Sequence, residues 1–281
     1  MADRQTSIQS DQSAYRAHFD GGVSTLMSQM WGGNLHMGYF KSSDEPLASA
    51  QMRVKQKVAE LLGLGPGRRL IEVACGVGTT AIYLAKQAGV SVNATNISET
   101  QLAEARGRAA GEGLADRVNF AFGDYHDLEA EAGSYDAWLC QEALLYARDR
   151  QKVFAEALRV VKPGGRILFT DLTLSDLLPS SERESLMTDI KAPHFWSLDQ
   201  YDDFVAGLEI PLIARHDWGP HAVRTFESIA RNIHVKRDQL VAMVGEDAVE
   251  QAEFRIDRQY RLASAGLLGW CVFCLQIPAT Q

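Results

Sequence analysis

Apolar positions recur along this chain in two rhythms. From Ala14 to Met30, the residues Tyr15, Phe19, Val23, Leu26 and Met30 fall near one face of a 3.6-residue repeat, which predicts a helix. Trp31-Gly32-Gly33 breaks it. The following Asn34–Phe40 mixes aromatics, a histidine and a glycine without a period. Leu47–Leu62 is helical again, and Gly63-Leu64-Gly65-Pro66-Gly67 supplies its stop.

Short apolar runs then alternate with helical ones. Strands are predicted at 69–74, 90–95, 118–123, 135–141 and 166–172. Between them lie helices at Thr79–Gln87, from Ser98 onward, and over 150–161. Ser98-Glu99-Thr100-Gln101 has the S-x-x-Q form of a capping box. Lys162-Pro163-Gly164-Gly165 reads as the turn that ends the third of these helices. This β-α-β-α order implies an α/β, doubly wound parallel sheet covered on both faces. Beyond Leu172 the rhythm changes. Residues 175–207 read as polar and helical, with breaks at Pro179 and Pro193. Late strands are predicted at 210–218 and 267–277, separated by helical residues 221–264.

The expected organisation is an N-terminal helical cap (1–65, its first 13 residues flexible), a core (66–175), a helical lid insertion (176–209), and a C-terminal part (210–281). The last of these completes the sheet and the acceptor pocket. The 281 residues suit one α/β domain with such additions. The 28 basic and 36 acidic residues leave a net charge of −8 with no basic cluster, which argues against a nucleic-acid partner. The polar start lacks a signal-peptide core, and no apolar run is long enough to span a membrane. A cytoplasmic protein with no membrane partner is expected. Cys271 and Cys274 form a C-x-x-C inside an apolar run. With no second ligand pair, they read as structural thiols, and no metal is expected.

The strongest chemical signal follows the first strand: Glu72-Val73-Ala74-Cys75-Gly76-Val77-Gly78-Thr79-Thr80. Glycines there allow a sharp turn and close approach of a ligand, and the helix behind them offers free N–H groups to an anion. Gly76-x-Gly78-x-x-Ala81 also satisfies the looser dinucleotide pattern, so an NAD-dependent oxidoreductase is an alternative. Such an enzyme wants an acid at the end of the second strand. Here that end reads Ala94-Thr95-Asn96-Ile97-Ser98, without a carboxylate.

Glu72…Gly76-x-Gly78, then Gly123-Asp124-Tyr125 after the third strand, then Lys162-Pro163-Gly164-Gly165 resemble the motifs of class I S-adenosylmethionine (SAM) dependent small-molecule methyltransferases. Trp31–Phe40 and Asn96-Ile97-Ser98-x-x-Gln101 resemble one branch of them. That branch includes sarcosine/dimethylglycine N-methyltransferases, sterol, tocopherol and geranyl diphosphate C-methyltransferases, and natural-product O-methyltransferases. The resemblance implies a seven-stranded Rossmann-like sheet and SAM as cofactor, with S-adenosylhomocysteine (SAH) as product. It implies a cofactor site made of Trp31, Tyr39, Glu72, Gly76, Gly78, Asn96, Ile97, Gln101, Asp124, Tyr125 and Gln141. Ala74 departs from the glycine that many relatives carry and could narrow the cofactor channel. In such proteins the N-terminal segment sometimes meets a neighbouring subunit, which leaves a homo-oligomer open.

Two residues are candidates for proton chemistry. Glu142 follows the fourth strand at the ligand-binding edge of the sheet, where the resemblance implies an acid or base. Its plainer role is an ion pair with Arg148 or Arg150. His36 belongs to a residue type that titrates near neutrality and suits a base; its plainer role is structural, as is core packing for Trp31 and Tyr39. His194, His216, His221 and His234 lie in the variable region. Arg215, Arg224, Arg255, Arg258 and Arg261 together could hold a diphosphate. Aromatic residues at 195–204 favour an apolar or aromatic acceptor. The expected activity is methyl transfer to a small specialised metabolite, with O, N and C undecided. C-methylation of a prenyl substrate with Glu142 as base, and a SAM-binding protein without transfer, are alternatives.

Overall fold

The alternating apolar runs become β1 (Arg69–Val73), β2 (Ser91–Asn96), β3 (Val118–Phe122), β4 (Tyr135–Gln141), β5 (Val161–Leu174), β6 (Leu212–Asp217) and β7 (Leu268–Gln276). They form one sheet in the order β3-β2-β1-β4-β5-β7-β6. A computed structural model describes residues 22–192 and 194–279. The expected flexible residues 1–13, the helical turns carrying Tyr15 and Phe19, and the break at Pro193 lie outside the described residues. The first five strands run parallel, as predicted. β7 is antiparallel to both β5 and β6 and lies between them.

The helices are α1 (Gly22–Met30), α2 (Leu47–Leu62), α3 (Thr79–Ala88), α4 (Glu99–Gly111), α5 (Arg150–Val160), α6 (Ser180–Ile190), α7 (Leu198–Gly207), α8 (Gly219–Val244) and α9 (Glu246–Ser264). Two apolar layers flank the sheet. One joins Leu84, Leu102, Phe226, Ile256 and Trp270, and the other joins Trp138, Phe154, Phe169, Tyr201 and Phe273. Strand alternation decides which residue serves which layer. On β7, Trp270, Val272 and Cys274 face the first layer, and Cys271, Phe273 and Leu275 the second. Cys271 and Cys274 therefore point to opposite sides of the sheet and cannot share a ligand.

Three expectations need correction. The Lys162–Gly165 turn does not precede β5 but lies inside it. The register against β4 jumps from Tyr135 opposite Val161 to Ala137 opposite Arg166. The loop so formed is stitched to the other neighbour, because the Gly164 N–H donates to the Ile277 carbonyl and the Ile277 N–H to that of Gly165. The capping box at Ser98 is half used: Ser98 accepts from the Gln101 N–H, while the Gln101 amide oxygen accepts from Asn96. A complete capping box starts α7 instead, at Ser197 and Gln200. Finally, the lid aromatics Trp196, Tyr201 and Phe204 pack with Phe154, Phe169 and Phe273 in the second layer. They do not face an acceptor, so they say nothing about its chemistry.

Candidate active site

The carboxyl ends of β1, β2 and β4 open into a cavity of about 330 Å³. α1, α6 and α9 close its far side. This is the edge at which open α/β sheets bind ligands. Two non-glycine residues take left-handed backbone there, Ala74 (φ 53°) after β1 and Glu142 (φ 46°) after β4. Such strain concentrates at functional sites.

The two loop glycines serve different ends. A Cβ on Gly78 would meet Phe120 Cζ at 2.5 Å and Ala105 Cβ at 2.9 Å, so Gly78 lets the loop pack on α4 and β3. A Cβ on Gly76 would meet nothing within 4 Å, and Gly76 lines the cavity. Gly76 keeps space for a ligand, and Gly78 is not on the lining. α3 starts here without a side-chain cap on Gly78; the Ala81 N–H is taken by Glu72 from beneath, which leaves the N–H groups ahead of it for an anion.

Glu72 lies under the loop and does not line the cavity. Burial pushes its carboxyl up to about 8, against the opposing influence of Lys55 and a backbone hydrogen bond at Ala81. Burial likewise pulls the Lys55 ammonium down to about 8, and Lys55 donates to the Thr79 carbonyl. This pair braces the loop from beneath. Tyr39 is also off the lining. Its ring packs against Trp218 and His221, with the Lys57 ammonium 4.3 Å from its centroid. Trp31 does line the cavity, edge-on to Phe226.

Asn96, Ile97, Gln101, Asp124, Tyr125 and Gln141 line the cavity together. The Asn96 amide donates to Gln101 Oε1 at 2.8 Å and accepts from the Ile97 N–H. Burial works to raise the Asp124 carboxyl, but hydrogen bonds from the His126 ring and backbone and the charge of Arg148 outweigh it. The group is held below the usual carboxylate range. A carboxylate oxygen has two lone pairs, so it can also accept from a ligand donor. Gln141 is 4% exposed, and both atoms of its amide are buried without a partner among the described residues. A buried amide left unpaired destabilises the fold, unless a ligand completes it. Together with the Gly76 cradle and the uncapped helix start, this donor set fits a molecule carrying a carboxylate, a ribose and an adenine.

His36 and Glu142, 106 residues apart, meet at the cavity wall. His36 Nδ1 lies 2.7 Å from Glu142 Oε2. The other carboxylate oxygen, Oε1, accepts from Thr170 Oγ1 and from Trp270 Nε1 at 2.9 Å. Glu142 therefore faces a histidine and does not pair with Arg148 or Arg150. Arg148 pairs with Asp124, and Arg150 stacks on Trp196. The aperiodic segment around His36 is held by long-range bonds. The Gln51 amide donates to the Trp31, Asn34 and His36 carbonyls, and Thr79 Oγ1 donates to Asn34 Oδ1. The Gly38 N–H donates to Thr225 Oγ1.

Sequence reasoning missed Thr170, Trp270, His126 and the α9 wall. For Trp270 a signal existed: the two-residue alternation of β7 puts it on the same face as Val272 and Cys274. His194, His216, His221 and His234 are off the lining. The five arginines do not converge. Arg215, Arg224, Arg258 and Arg261 pair with Asp202, Glu227, Asp189 and Asp257, and Arg255 alone of the five reaches the cavity.

Among the described residues no group of His, Cys, Asp or Glu could hold a metal ion, and no helix is long and apolar enough to cross a membrane. Residues 70–165 match the family described as a methyltransferase domain. The chain is 32% identical over 234 residues to the methyltransferase GfsG of Streptomyces halstedii, covering 81% of this chain and 82% of that one. It is 37% identical over 149 residues to the 27-O-demethylrifamycin SV methyltransferase of Amycolatopsis mediterranei, covering 53% and 55%. The cyclopropane synthase MmaA2 of Mycobacterium tuberculosis shares the fold, with a TM-score of 0.83 at 19% identity over 93% of this chain and 96% of that one. With GfsG 32% identical over four fifths of both chains, and no acid at Asn96 to hold a dinucleotide, the chain belongs to the class I S-adenosylmethionine-dependent methyltransferases that act on small molecules.

Proposed function

We propose that the enzyme methylates a hydroxyl group of an apolar specialised metabolite, with His36 as general base and Glu142 as the group that orients it. The observation that carries this reading is the 2.7 Å contact of His36 Nδ1 with an anchored carboxylate. A carboxylate only accepts, so Nδ1 carries the ring proton and Nε2 keeps its lone pair. An acceptor hydroxyl beside Nε2 loses its proton to that lone pair as oxygen attacks, and Glu142 steadies the resulting imidazolium. Bound SAM supplies the electrophilic methyl group. Gly76, Asn96, Ile97, Gln101, Asp124, Tyr125 and Gln141 would hold it, with Trp31 beside it. Leu172, Ile190, Phe226 and Ile256 give the acceptor an apolar bed and exclude water.

The relative named for a 27-O-demethyl substrate supports oxygen as acceptor and specialised metabolism as the setting. Four buried free thiols suit a reducing cytoplasm. The prenyl diphosphate alternative fits less well, because four of the five arginines expected to hold the diphosphate are already paired with carboxylates. The test is SAH formation with a panel of alcohols, phenols, amines and alkenes of similar apolar bulk. Turnover of hydroxyl compounds, lost in His36→Ala, is expected. Turnover of amines or alkenes only would overturn the reading.

A further inference from the structure

Arg255 differs from the other cations near the cavity wall. Arg148 is paired with Asp124, and Arg258, next along α9, is held by Asp189 and Ser185. Arg258 thereby also neutralises the carboxylate that α6 places on this wall. Arg255 lines the cavity, and no hydrogen bond or ion pair holds it among the described residues. Gln251 and Gln259 flank it at i−4 and i+4, so the three form one row on α9, about 12 Å long at about 1.5 Å per residue. Beside them runs an apolar row, Ala248, Ala252 and Ile256, that also lines the cavity. The far wall from the glycine loop is thus an apolar bed with one cation and two amides along its edge.

We infer that this row is a recognition edge for the acceptor, and that the acceptor carries an anionic oxygen group, a carboxylate or a phosphate, that Arg255 binds. The rest of the acceptor is apolar and lies along Ala252 and Ile256. This deepens the small-molecule reading of the same cavity, but it does not depend on which acceptor atom receives the methyl group. A guanidinium flanked by two amides can meet both oxygens of a carboxylate, and the amides can take neutral oxygens on either side.

The experiment uses the full chain saturated with SAH and two probes, decanoate and methyl decanoate, below their aggregation limits, with binding read by calorimetry. Decanoate should bind about tenfold more tightly than its ester, the size expected of one partly exposed charge-assisted hydrogen bond. Arg255→Met should erase that preference and leave SAH affinity unchanged. Arg261→Met, on the same helix and paired with Asp257, should keep it. Equal binding of the two probes, no binding of either, or a preference that survives Arg255→Met would overturn the inference. Glu142→Gln should keep the preference while losing methyl transfer, so failure here and failure of the base assignment are told apart.

Discussion

Exchanging Glu142 for glutamine tests the proton chemistry with little change of shape. In the wild type Oε1 accepts from Thr170 and Trp270, and Oε2 faces His36 Nδ1. In the Glu142→Gln variant those two donors hold the new amide oxygen at the Oε1 position. The amide nitrogen then faces Nδ1, and because it only donates, Nδ1 must accept. The ring proton moves to Nε2, and the lone pair that would take the acceptor's proton is gone. A positioned base is worth about 10²–10⁴ in rate, and a reversed tautomer in a hydrolase triad removes about 10⁴. A drop in kcat of at least about 10² is therefore expected, with SAH affinity within about threefold of wild type. Stability should fall by no more than about 3 kcal/mol, the upper value for a hydrogen bond to a charged group. The assay is SAH formation with the best acceptor of the panel. Nitrogen-15 spectra of the imidazole, which need no acceptor, should show the protonated nitrogen changing places. A kcat within about threefold of wild type, or an unchanged tautomer, would refute the reasoning.

Gln141→Leu should raise the melting temperature of the ligand-free protein, since an unpaired buried amide costs about 1–3 kcal/mol. It should also weaken SAH binding about five- to 100-fold; a variant that loses stability and keeps affinity would remove Gln141 from the ligand site. Gly78→Ala should destabilise by about 2–5 kcal/mol, combining overpacking against Phe120 with left-handed strain. Gly76→Ala should cost only about 1–2 kcal/mol of stability and mainly reduce SAH affinity, and calorimetry separates the two patterns. Burial pushes the Asp171 carboxyl up to about 7, so the folded chain holds a proton that the unfolded chain releases near about pH 4. Stability should then decline as pH rises from about 4 to about 7. Asp171→Asn should lessen that decline in thermal melts, with the buried Glu72 carboxyl supplying the remainder, and an equally steep slope in the variant would argue against the shift.

Strand alternation and helical period carried the core strands to within a residue or two, except where the Lys162–Gly165 loop is stitched into β5 by Ile277 from the far end of the chain. That Gly76, Asn96, Asp124 and Gln141 share one cavity was legible because each lies at or just beyond the end of a parallel strand, and all such strands end at one edge. Local spacing could not say which residues a fold brings together over long separations. His36 and Trp270 reach Glu142 across 106 and 128 residues. Nor could it separate Trp31 from Tyr39, since an aperiodic segment gives no face to assign. The lid aromatics misled for a related reason: an apolar helix face shows that something will be covered, but not whether by core or by ligand.

The position of β7 has a consequence for synthesis. It is the last strand in the sequence, yet it sits inside the sheet, between β5 and β6. While the ribosome is still making α9, β6 has no neighbour to join and β5 has an open edge. Nor is the Trp270 indole there to hold the Glu142 carboxylate. Assembly of the sheet and completion of the hydrogen bonds around Glu142 thus wait on the same nine residues, Leu268–Gln276. A chain released before Leu268 would lack both at once, the central partner of β5 and β6 and the indole on Glu142.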